Sequence, residues 1–214
     1  MSLRKIPFVP DEYYHIYSRG SDKRKIFHDN SDYNRFLNIL YLSNSDINFR
    51  FDRIEDVYST ERGQRLVSIG AYCLMPNHVH ILIKQVAENG ISRFMHKLLT
   101  AYSMYYNTKY ERTGGLLEGK FKAELLDSDN YLKYLFSYIH LNPVKLIEPK
   151  WKESGIRNRN KAIDFLNKYR YSSYQDFMRI DRKEKAILNL EDFPEYFPTK
   201  EKFQEEIFDW IDYK

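Results

Sequence analysis

With a single cysteine, Cys73, the chain cannot close an internal disulfide. It also lacks any apolar run approaching the roughly 18 residues that a membrane span needs, which excludes a helical membrane anchor. The opening MSLRKIPFVP carries no apolar signal-peptide core, so a cytoplasmic protein with no membrane partner is expected. No Gly-x-x-x-x-Gly-Lys-Ser/Thr run is present, which excludes a Walker-type nucleotide site. The eight glycines and seven prolines are scattered, leaving no flexible linker, internal repeat or low-complexity tract.

What is abundant is aromatic and charged. Nineteen tyrosines and fourteen phenylalanines accompany a charged fraction of 30%, within a chain whose 43% hydrophobic residues support a folded core. At 214 residues there is room for one well-buried domain with an extension, expected as residues 1–180 and 181–214, the latter an appendage packing on the domain. The net charge of +4 decides little, but its distribution says more. Basic residues gather at Arg19, Lys23, Arg24 and Lys25, at Lys120 and Lys122, and at Lys150, Lys152, Arg157, Arg159 and Lys161. Cations that grip phosphate beside rings that stack on unpaired bases suit single-stranded nucleic acid. A solvated surface over a tyrosine-rich core is the competing reading.

Periodicity predicts strands over residues 12–18, 48–58, 66–74, 79–86 and 116–126, by alternation and β-branched or aromatic content. It predicts helices over residues 31–42, capped by Ser31 or Asp32, over 91–110, closed by Gly114 and Gly115, and over about 129–141, capped by Ser128 or Asp129 and ended by Pro143. Met75, Pro76 and Asn77 form the turn of a hairpin-like pair. Residues 169–178 and 193–210 carry enough aromatics to pack back onto the domain. The order predicts an α+β fold, a ferredoxin-like antiparallel sheet covered by helices, with a C-terminal extension.

His78 and His80 stand two apart on a strand, so both imidazoles share one face while Val79, Ile81 and Ile83 face a core. Two imidazoles fixed by one strand make a half-site for a divalent metal, although His-x-His pairs also occur by chance. Tyr138 and Asn142, at the end of the helix predicted over about 129–141, are four apart and on a helix share a face that could lie over those histidines. There Asn142 would offer an amide oxygen as third ligand. On periodicity alone Tyr138 has no better claim than Tyr131 or Tyr134, and Asn142 before Pro143 could simply end the helix. His96 and His140 have no partner at ligand spacing and read as surface or packing residues.

The segment AYCLMPNHVHILI (71–83), followed about 60 residues later by YIHLNPVK (138–145), resembles the REP-associated branch of the single-tyrosine HUH transposases, an IS200-like family. The Tyr17-Ser18-Arg19-Gly20 turn and the run Tyr171-Ser172-Ser173-Tyr174 resemble its flanking features, so the likeness spans most of residues 10–178. It implies a ferredoxin-like or RRM-like sheet, His78 and His80 as metal ligands with Asn142 as the third, and Tyr138 as nucleophile. The implied activity is metal-dependent cleavage and rejoining of single-stranded, hairpin-containing DNA through a 5′-phosphotyrosine. Mixed imidazole and amide-oxygen ligation suits Mg²⁺ or Mn²⁺ in a phosphoryl-transfer setting, while zinc or nickel could also occupy two histidines, so the metal's identity stays open. Arg19, Lys23, Arg24, Lys120 and Lys122 are the first candidates for DNA binding, and a homodimer is as open as a monomer. The span 44–65 is longer than the resemblance calls for, and the tail from Asp181 has no role in it. The alternatives are a non-cleaving nucleic-acid-binding regulator on the same fold, a phosphodiesterase using His140 or a metal-bound water, and a plain structural domain.

Overall fold

The computed structural model describes residues 7–209. Trp210, at the end of the expected aromatic tail, lies outside them, as do the first six residues. Four strands, β1 (Tyr13–Arg19), β2 (Val67–Met75), β3 (His78–Gln85) and β4 (Lys122–Leu125), form one antiparallel sheet in the order β2-β3-β1-β4. Helix α1 (Asn30–Ser43) connects β1 to β2, and α2 (Gly90–Lys109) connects β3 to β4, which gives the βαββαβ order of a ferredoxin-like sheet. Then come α3 (Asp129–Leu141), the short α4 (Trp151–Ser154), α5 (Arg159–Lys168), α6 (Tyr174–Phe177) and α7 (Lys200–Asp209).

Strand alternation divides the core in two. Tyr14, Ile16, Val79, Ile81, Ile83 and Leu74 face α1 and α2 and join Phe36, Leu40, Phe94, Leu98 and Tyr102 in the larger cluster. Burying such side chains stabilises the fold by about 1.5–3 kcal/mol each. The opposite face carries Ala71, Cys73, Met75 and Leu82, which meet Leu132, Leu135, Phe136 and Ile139 of α3. Helix α3 therefore lies over the face on which His78 and His80 emerge. A third cluster joins Leu141, Val144 and Trp151 to Leu166, Tyr174 and, from α7, Phe203 and Ile207.

The segment 48–58 departs from its expected strand. It forms a 3-10 turn at Phe51–Arg53 within irregular backbone. Its apolar side chains, Phe49, Phe51, Ile54 and Tyr58, pack on the α1 and α2 side, and the Arg35 guanidinium lies 3.7 Å above the Phe51 ring. The free edge of β2 is taken instead by later residues: Leu74 N–H donates to Tyr171 O, Ser173 N–H to Tyr72 O and Asn189 N–H to Ile69 O. Alternation promised a strand, but the edge it needed was occupied. Of the span 116–126, only four residues pair as β4, because Gly119 adopts a left-handed φ of 62° and breaks the strand. Helix α1 starts one residue earlier than expected, with the Asp29 carboxylate accepting from Asp32 N–H. Ser128 caps α3 as expected, accepting from Tyr131 N–H at 3.3 Å.

Phe193 returns from the tail to lie against Gly70, where a Cβ would stand 2.7 Å from the ring, at the bulge that shifts register between Ile69 and Ala71. Among the described residues no helix is long and apolar enough to cross a membrane.

Candidate active site

The MPNH turn between β2 and β3 is fixed from outside the hairpin. Ile26 and Phe27 N–H both donate to Pro76 O, Gly20 N–H donates to Asn77 O, and Asn77 Nδ2 donates to Lys23 O. Gly20 is required there, since a Cβ would stand 2.4 Å from Arg24 O. The loop after β1 thus clamps the start of β3, where His78 and His80 begin.

Both histidines open into a cleft of about 230 Å³ between the sheet and α3, lined also by Tyr17, Arg19, Lys120, Lys122, Tyr138, Asn142, Lys145 and Lys152. A larger groove of about 890 Å³ between α1 and α2, lined in part by Arg35, Phe51, His96 and Met104, contains none of the residues singled out for chemistry. The smaller cleft is the candidate site because the titratable groups converge on it. The rings of His78 and His80 are 4.9 Å apart and perpendicular, and the Tyr138 ring stands edge-on to His80 at 5.3 Å. Asn142, one helical turn beyond Tyr138, is buried at the start of the 3-10 turn Asn142–Leu146 that continues α3. Tyr131 and Tyr134 line no part of this cleft; the Tyr131 hydroxyl donates to Glu124 at 3.2 Å.

Burial dominates the electrostatics. It lowers His78 to about 4, aided by the charges of Arg19, Lys145 and Lys152, and it drives His80 well below its ordinary value. Both imidazoles are therefore neutral and hold lone pairs at physiological pH. Burial also raises the Tyr138 hydroxyl, against opposing effects from Asn142 and Lys145, so it is protonated at neutral pH. The Lys152 ammonium lies 3.9 Å from the Tyr138 ring centroid.

The donor set fits a divalent cation. His78 Nδ1 is 2.6 Å from Asn77 Oδ1, an acceptor that leaves His78 Nε2 as the bare nitrogen. Asn142 Nδ2 is buried without a hydrogen-bond partner among the described residues, and exchanging the two ends of that amide would present its oxygen inward. No group of three or more His, Cys, Asp or Glu side chains is disposed for a metal among the described residues. A cation would therefore rest on two imidazoles and one amide oxygen, with positions left for water and phosphate.

Three of the five basic residues expected to meet DNA, Arg19, Lys120 and Lys122, line the cleft, while Lys23 and Arg24 do not. Arg24 braces its own loop, donating to Ser21 O at 2.9 Å and pairing with Asp22 at 3.1 Å. His140 is buried with its Nε2 2.8 Å from Ser173 Oγ, and His96 is exposed on α2. Sequence reasoning overlooked His15, whose Nε2 is 2.8 Å from His80 Nδ1, as well as Glu124 and Lys145. Alternation along β1 could have found His15, because Tyr13, His15 and Tyr17 share the face of the histidine pair.

The fold is similar to a solved structure described as a REP-associated tyrosine transposase bound to a REP hairpin, with TM-score 0.53 and 10% identity, covering 86% of this chain and 90% of that one. No curated protein matches the chain. The family model described as "Transposase IS200 like" matches residues 8–142, from the approach to β1 through the histidine pair and Tyr138 to Asn142. The chain belongs to the IS200-like transposase family.

Proposed function

We propose that the protein cleaves and rejoins single-stranded DNA by metal-assisted transesterification, with Tyr138 as nucleophile and His78, His80 and Asn142 as metal ligands. The observation that carries this reading is that Tyr138, of the three tyrosines on its helix stripe, is the one whose ring enters the cleft of the two neutral histidines, 5.3 Å from His80. Tyr138 Oη attacks the scissile phosphorus, the new Oη–P bond forms in line with the breaking bond to the 3′ oxygen, and that oxygen leaves as a 3′ hydroxyl. The proton lost by Tyr138 balances the one gained by the leaving oxygen, and the 5′-phosphotyrosine conserves the phosphodiester's energy for rejoining. A Mg²⁺ or Mn²⁺ ion bound here supplies Lewis-acid polarisation of a non-bridging phosphate oxygen. Arg19, Lys120 and Lys122 hold flanking phosphates, Lys145 places positive charge that acts on the Tyr138 hydroxyl, and Lys152 lies over the Tyr138 ring.

The fold neighbour's hairpin makes a hairpin-containing single strand the substrate of choice. The full chain, incubated with Mg²⁺ or Mn²⁺ and 3′-labelled hairpin DNA, is expected to give a labelled covalent band on a denaturing gel. The band should vanish in Tyr138→Phe and His78→Ala. Cleavage without an adduct, or an adduct surviving Tyr138→Phe, overturns the nucleophile; binding without cleavage overturns the enzyme in favour of a regulator.

A further inference from the structure

A third imidazole lies beneath the histidine pair. His15 on β1 faces Glu124 on β4 in register and reaches diagonally across to His80 on β3. His15 Nε2 and His80 Nδ1 are 2.8 Å apart, and both residues are 6% exposed, so no solvent competes for that bond. On its other side His15 Nδ1 is 3.6 Å from Glu124 Oε2. Glu124 is itself held from two directions: Tyr17 Oη donates to Oε1 at 2.8 Å and Tyr131 Oη, from α3, donates to Oε2 at 3.2 Å.

The charge of Glu124 sets the direction of this chain. At 3.6 Å its carboxylate is a charge contact with His15 Nδ1 rather than a hydrogen bond, and a negative charge beside that nitrogen favours the tautomer that places the proton there. Two neutral imidazoles joined by one bond need one donor and one acceptor. His15 Nε2 is then the acceptor, His80 Nδ1 the donor, and His80 Nε2 the bare nitrogen. We propose that His15, anchored by Glu124, is a positioning residue that locks His80 in the Nδ1–H tautomer and leaves its Nε2 lone pair for the cation. This rests on His80 acting as a metal ligand. It also ties the ligand's orientation to α3, through Tyr131, two helical turns before the nucleophile.

Two measurements on the metal-free full chain test it. Long-range ¹H–¹⁵N NMR with labelled histidine reads which nitrogen of His80 carries the proton; the Nδ1–H form is expected in the wild type, and its loss in His15→Phe. Mn²⁺ titrated into the same samples and followed by EPR of the free ion should show affinity lowered about 10- to 100-fold in His15→Phe. It should fall less in Glu124→Gln, an exposed-side-chain change that does not threaten folding, and recover in His15→Gln, whose amide oxygen can accept from His80. His80 in the Nε2–H form in the wild type overturns the proposal. So does unchanged Mn²⁺ affinity in His15→Phe when His80→Ala has lost binding. If His80→Ala binds Mn²⁺ like the wild type, the metal role of His80 fails, and the tautomer measurement still decides the positioning.

Discussion

The ring of Tyr138 stands edge-on to that of His80, with centroids 5.3 Å apart and planes at 85°. Tyr134 lies 6.1 Å behind Tyr138 and Tyr131 a further turn back, so the stripe points one hydroxyl at a time along α3. Each Tyr→Phe change removes a single oxygen and leaves the ring packing. Tyr138→Phe is therefore expected to abolish the DNA adduct while shifting stability by no more than about 0.5 kcal/mol, as for substitutions that disturb no core. Tyr134→Phe should retain the adduct, and adduct gels with thermal melts of both variants check the contrast.

Lys152 brings its ammonium to 3.9 Å from the Tyr138 ring centroid from the short helix α4. A cation there favours the developing negative charge of the tyrosine oxygen and phosphate over the neutral ground state. Lys152→Ala should slow single-turnover adduct formation by about tenfold, the equivalent of about 1.4 kcal/mol, and Lys152→Arg should recover most of it. Equal rates in the alanine variant would remove this residue from the reaction.

The histidine strand, the α3 helix and the ferredoxin-like order were legible because each rests on local periodicity. Alternation placed His78 and His80 on one face, and helical spacing placed Tyr138 with Asn142. What periodicity could not say was which tyrosine enters the cleft, since that depends on how α3 crosses the sheet through Leu135, Phe136 and Ile139. The strand expected over 48–58 failed for a related reason: pairing needs a vacant edge, and residues 171–173 had filled the one on β2. His15 was overlooked because its role depends on a diagonal contact with another strand. Lys152 was visible as charge, but its place over a ring was set by the turn after Pro143.

His140 gives the pH dependence of stability a clean handle. Burial lowers it to about 3, where an unfolded chain would titrate near its ordinary 6.5. Between those values the unfolded state takes up a proton that the folded state refuses. Stability is unaffected above about pH 6.5 and falls as the solution is acidified through that window, and His15 and His78, lowered by burial to about 4, add in the same direction. His140→Gln should reduce the slope of unfolding free energy against pH around pH 5 by about one proton, or about 1.4 kcal/mol per pH unit. Urea titrations at several pH values, with chelator present, measure it. An unchanged slope would mean that His140 reaches solvent or stays protonated in the fold.

The split among the basic residues makes DNA affinity diagnostic of the path the strand takes. Arg19, Lys120 and Lys122 line the cleft, whereas Lys23 and Arg24 lie outside it and Arg24 is engaged by Ser21 and Asp22. Removing one phosphate-gripping cation should lower the log–log salt dependence of single-strand binding by about 0.7. Alanine at Arg19, Lys120 or Lys122 is thus expected to weaken binding at low salt and flatten that slope, while Lys23→Ala should leave both near wild type. Fluorescence anisotropy over a salt series reads both quantities. If Lys23→Ala flattens the slope as much as Lys122→Ala, the DNA must run over the loop that clamps the MPNH turn, and binding would then press directly on the start of the histidine strand.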